Sequence, residues 1–105
     1  MEQDKPVYWL PMATSSNHRR RILYTGHVQG VGFRWTVKNI SQTFTVTGFV
    51  KNLDDGRVEL VAEGEPGDVD RFLAAVTERL GHFVANTLAS TSAATGEFAT
   101  FEIVH

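Results

Sequence analysis

The hydrophobic pattern of this chain predicts an α+β domain. It would be one antiparallel sheet of four or five strands with two helices on one face, in the split, ferredoxin-like order βαββαβ. Three observations carry that expectation. Period-two alternation marks residues 19–28 and 57–63, apolar residues recur at helical spacing over 33–44 and 68–80, and an Asp-Asp-Gly turn joins two strand patterns in the middle.

Residues 1–18 read as a flexible leader, because Pro6, Pro11 and the Thr14-Ser15-Ser16-Asn17 cluster break any periodicity. Tyr8, Trp9 and Leu10 are its apolar exception. The domain proper is expected at 19–105. Its first strand, 19–28, puts Ile22, Tyr24 and Val28 on one face and Arg21, Leu23, Thr25 and His27 on the other. Phe33, Val37, Ile40 and Phe44 form the buried stripe of a helix over 33–44. Residues 45–53 follow as a β-branched and aromatic strand, Asp54-Asp55-Gly56 as the turn, and 57–63 as its hairpin partner with Val58, Leu60 and Ala62 inward.

Pro66 and Gly67 end that strand, and Asp68 is the expected cap of a helix running to about Leu80. Val69, Phe72, Leu73, Val76 and Leu80 form its apolar stripe and Gly81 stops it. A weaker strand over 83–90, a small-residue loop over 90–96 and a last strand over 98–104, with Phe101 and Ile103 on one face, complete the reading.

Composition narrows the function. The chain has 105 residues, the size of one domain, and 42% are hydrophobic, enough for one core. Ten basic and 12 acidic residues give a net charge of -2, which argues against a dedicated nucleic-acid binder. No apolar run reaches a membrane span or resembles a secretory signal. With no cysteine there is no disulfide, thiolate metal site or cysteine nucleophile. His18, His82 and His105 lack metal-ligand spacing, so neither metal nor cofactor is expected. A monomeric cytoplasmic protein acting on a small molecule fits these limits.

The densest signal is Gly26-His27-Val28-Gln29-Gly30-Val31-Gly32-Phe33-Arg34. A strand ends, a glycine-containing loop follows and a helix begins. The first amides of a helix have no internal partner and carry partial positive charge, so such a loop can wrap an anion. Gly30 and Gly32 permit close approach, and Arg34 adds a planar cation suited to phosphate. The alternative is a plain turn with Arg34 solvated. Neither a Walker loop nor a dinucleotide fingerprint is present. The second signal is Gly48-Phe49-Val50-Lys51-Asn52-Leu53-Asp54-Asp55-Gly56-Arg57-Val58-Glu59, with Asn52 near a strand end, where turn formation alone would explain it.

These two stretches resemble the signatures of the acylphosphatase family, Gly-x-Val-Gln-Gly-Val-x-Phe-Arg and Gly-x-Val-x-Asn-x-x-Asp-Gly-x-Val-Glu. The resemblance spans about residues 19–105. It implies metal-free hydrolysis of an acyl phosphate to a carboxylate and inorganic phosphate. It also implies that Arg34 holds the phosphoryl group together with the backbone amides of Gln29, Gly30, Val31, Gly32 and Phe33, and that Asn52 orients the attacking water. Leu53, where some members have a polar residue, and Thr43-Phe44-Thr45, where Leu-Gly is frequent, depart from the pattern without touching those groups.

Other residues read more plainly. His27 is expected on the strand surface. Trp35 either walls the pocket or simply packs. Arg19-Arg20-Arg21 reads as a solvated edge or an attractor of anionic substrate, and Glu59 and Glu63 as outward solubility charges. The competing function is a non-catalytic ferredoxin-like module that binds an anion or a partner through Arg34.

Overall fold

A computed structural model of the chain describes residues 17–105. The expected leader therefore lies outside the described residues up to position 16, as do Tyr8, Trp9 and Leu10. The elements are β1 (His18–Gly26), α1 (Phe33–Ser41), β2 (Thr47–Asn52), β3 (Val58–Gly64), α2 (Pro66–Leu80), β4 (Val84–Ala93) and β5 (Phe101–Val104). They form one five-stranded sheet in the order β4-β1-β3-β2-β5. The first four strands pair antiparallel, as the split βαβ order predicts. β5, however, runs parallel to β2, so the sheet is mixed rather than purely antiparallel.

Alternation along the strands decides what is buried. Ile22, Tyr24, Val50, Val58, Leu60, Ala62 and Phe101 join Phe33, Val37 and Ile40 of α1 and Val69, Phe72, Val76 and Leu80 of α2 in a single core. Both helices thus cover one face. Phe72 sits at its centre, with Phe44 and Phe101 against its ring at centroid distances of 6.0 and 5.4 Å. A fully buried Phe, Leu or Val side chain contributes about 1.5–3 kcal/mol, so this face supplies most of the fold's stability. Gly48 is needed where β2 crosses β3: its φ is 142°, and a Cβ there would lie 1.9 Å from the Val61 carbonyl oxygen.

Several boundaries differ from the sequence expectation. α1 ends at Ser41, because the amides of Gln42, Thr43 and Phe44 bond three residues back instead of four, tightening the chain while keeping Phe44 on the core. α2 starts at Pro66 rather than after an Asp68 cap. Glu65 is its N-cap, and proline suits the first helical position because its fixed φ is helical and it has no N–H to leave unpaired. Asp68 instead lies in the first turn and pairs with Arg71 at 2.6 Å. β4 continues to Ala93 because Ser90, Thr91, Ser92 and Ala93 each pair with a residue of β1.

Charged side chains also depart from expectation. Glu63 is not a solubility charge. It is only 4% exposed and accepts from the backbone of Thr95 (3.0 Å) and Gly96 (2.9 Å), the Thr95 hydroxyl (2.9 Å) and Arg19 (3.2 Å). Burial pushes its pKa up, but these donors outweigh burial and hold the carboxyl below its ordinary 4.5. The three consecutive arginines are each engaged: Arg19 with Glu63 and Glu97, Arg20 with Asp70, and Arg21 with Glu59. Among the described residues each arginine is thus tied to a carboxylate of β3, of α2 or of the loop after β4.

Candidate active site

Topology brings the two sequence signals together. β1 and β2 both run antiparallel to β3, so they are parallel to each other and end at the same edge of the sheet. Tyr24, Val58 and Asn52 stand in one row across β1, β3 and β2. One strand separates the outer two, roughly 10 Å at ~4.8 Å per strand. β5, parallel to β2, ends at that edge as well. The loop leaving β1, Asn52 at the end of β2 and the residues after β5 therefore surround one place.

The loop is held from below and from the side. Val28 is fully buried, and Phe33 packs on Tyr24 with ring centroids 5.2 Å apart. Burial raises the Tyr24 phenol to about 12, so it stays neutral and serves as packing beneath the first turn of α1. His27 lies on the surface, as expected, with its amide bonded to the Phe83 carbonyl at 2.9 Å. The Gln29 side chain donates from Nε2 to the Leu53 carbonyl (2.8 Å) and the Arg57 carbonyl (2.9 Å). It thereby clamps the loop to the hairpin that carries Asn52. Nothing in the local sequence signals this clamp, because its partners lie 24 and 28 residues away.

The helix end is an open donor cluster. Gly32 is the N-cap of α1 with φ 76°, a left-handed conformation that glycine adopts without strain, and it offers no side-chain cap. Thr36 N–H to Gly32 C=O is the first helical bond at 3.0 Å, which leaves the amides of residues 33–35 without an intrahelical acceptor. No acid occupies the first turn. Gly30, at φ 79°, precedes it with the same freedom. Among the described residues, no backbone carbonyl accepts from the amides of residues 29–32.

A cavity of about 270 Å³ opens here, lined by Val28, Gly30, Gly32, Phe33, Arg34, Trp35, Asn52, Ile103 and His105. Arg34 and Asn52, the two side chains singled out from sequence, thus line the same cavity, together with the glycines of the loop. Gln29 and Val31 form the loop but are not among its lining residues. Arg34 is its only Lys or Arg among the described residues, and its Nη1 lies 3.4 Å from the Val104 carbonyl and 3.3 Å from His105 Nδ1. Asn52 Oδ1 is buried and has no hydrogen-bond partner among the described residues. A buried amide oxygen left unpaired costs about 1–3 kcal/mol, so Asn52 Oδ1 calls for a donor, which a water in the cavity it lines can supply. One planar cation, a ring of amides and one unpaired acceptor suit a phosphoryl group and a water. Among the described residues no three His, Asp or Glu gather as a metal-holding group.

Comparison with known proteins gives a consistent result. The family profile described as Acylphosphatase matches residues 20–103. The chain is 38% identical over 87 residues to the acylphosphatase of Lactobacillus gasseri, covering 77% of this chain and 91% of that one. It is 50% identical over 52 residues to that of Listeria welshimeri, half of this chain and just over half (56%) of that relative's length. Among solved structures, the acylphosphatase from Bacillus subtilis superposes with a TM-score of 0.75 at 34% identity, covering 84% of this chain and 99% of that one.

Proposed function

The chain belongs to the acylphosphatase family, whose relatives support acyl phosphate hydrolysis as its activity, and we propose that Arg34, the amides of residues 29–33 and Asn52 carry that reaction without a metal ion. The observation that carries this reading is the shared cavity: Arg34 and the buried, unpaired Asn52 Oδ1 line it with Gly30, Gly32 and Phe33.

The chemistry asks little of the protein beyond position and charge. The phosphoryl oxygens rest on the open amides of the loop and the first turn of α1, with Arg34 as counter-charge. A water that donates a hydrogen bond to Asn52 Oδ1 attacks phosphorus, the bond from phosphorus to the acyl oxygen breaks, and its electron pair leaves with the carboxylate. The conjugate acid of that group has a pKa near ~4, so it departs as an anion without a protein acid. The transition state spreads charge over the equatorial oxygens, where fixed amides and a guanidinium stabilise it. Asn52 is neutral and positions the water; the water's proton passes to a phosphate oxygen.

Asn52→Ala tests this assignment. It is expected to lower kcat by at least about 10²-fold, by analogy with the loss of a preorganised polar group, while inhibition by inorganic phosphate stays within a few-fold. Full activity in that variant would remove Asn52 from the mechanism. The proposal includes a cytoplasmic monomer, supported by the cysteine-free composition and the size of one domain. Light scattering at working concentration tests the monomer. No helix among the described residues is long and apolar enough to cross a membrane.

A further inference from the structure

Trp35 contributes nothing to the core, yet it stands at the cavity. Among the described residues three large hydrophobic side chains are exposed, Trp35, Leu88 and Val104, and of these Trp35 alone lines the cavity. It is 65% exposed. Side chains on a helix lean toward its N-terminus, so an indole at the third position of α1 covers the loop side of its own turn, beside the open amides. The cavity, at about 270 Å³, is larger than one phosphoryl group and one attacking water need.

In-line displacement places the leaving oxygen across the phosphorus from the incoming water. With the water on Asn52, at the strand side, the acyl group leaves toward the helix side, where Trp35 stands. Among the described residues Arg34 is the only Lys or Arg at the cavity, and the phosphoryl group occupies it, so none of them offers a second guanidinium or ammonium to a charged acyl chain. We infer that Trp35 forms the wall of an acyl subsite that takes a flat, uncharged acyl group stacked on its indole, giving preference for aroyl over small aliphatic acyl phosphates. This rests on the acyl phosphate reading above.

The test compares benzoyl phosphate with acetyl phosphate in wild type, Trp35→Ala and Trp35→Phe. The ratio of kcat/KM for benzoyl over acetyl phosphate is expected to fall about three- to tenfold in Trp35→Ala, the worth of one aromatic pair, and to be mostly kept in Trp35→Phe. Competitive inhibition by phenylphosphonate relative to methylphosphonate is expected to weaken by the same factor in Trp35→Ala. An unchanged ratio, or equal loss on both substrates, overturns the acyl subsite while leaving the hydrolase reading in place. A folded wild type that hydrolyses neither substrate overturns both.

Discussion

Gln29 belongs to the loop through its side chain as well as its amide. Its Nε2 bonds to the carbonyls of Leu53 and Arg57 fix the distance between the loop and the hairpin carrying Asn52. Gln29→Ala removes two hydrogen bonds, each worth about 0.5–1.5 kcal/mol. The loop is then free to shift against Asn52, and a displacement of ~1 Å at a reacting site costs on the order of 10²-fold. The expected outcome is a modest loss of melting temperature with a fall in kcat of at least about tenfold. A lower melting temperature with unchanged kcat would show that the clamp serves stability alone. At this scale the sequence was partly legible. Arg34 and Asn52 stood out because a cation after a glycine loop and an amide before a turn are chemically conspicuous. The Gln29 clamp and the burial of Glu63 were not, because both depend on partners far along the chain.

At the scale of elements, Glu63 ties the end of β3 to the turn after β4. All its partners donate, so Glu63→Gln turns an NH₂ group toward donors and is expected to destabilise the fold by about 2–4 kcal/mol at neutral pH. The pH dependence follows from the lowered pKa. The folded carboxyl titrates below its ordinary 4.5, so its contribution is fully present above that value and is lost as pH falls through the lower folded pKa. The wild type's advantage over Glu63→Gln, read from urea midpoints, should therefore be full at pH 7 and shrink below pH 4.5. An advantage that does not change with pH would mean that side-chain shape, not charge, is responsible. The same region shows why element boundaries resisted sequence reading. Residues 90–93 are small and weakly strand-forming, yet a continuous register with β1 makes them strand, a tertiary override of local preference. α2 starts earlier than the sequence predicts because Pro66 and Gly67 read as a strand terminator, whereas proline at the first helical position is a start signal.

For the whole molecule, the order of elements was the most legible feature, because it rests on long periodic stretches rather than on boundaries. What periodicity cannot supply is direction within the sheet. β5 adds to β2 in parallel, and that pairing brings Ile103 and His105 to the cavity and the Val104 carbonyl to Arg34. Three parallel strand ends and one helix start thus meet at a single edge, although the residues concerned span positions 28–105. A module that only held an anion would need the loop and Arg34 but not a buried, unpaired Asn52 Oδ1 beside them. The measurement that tests this account most directly is hydrolysis of benzoyl phosphate in the presence of a chelator, by wild type and by Arg34→Ala. Wild type is expected to turn over whether or not the chelator is present, and the variant to lose at least about 10³-fold with its fold intact. Turnover that the chelator abolishes, or that survives in Arg34→Ala, would contradict it.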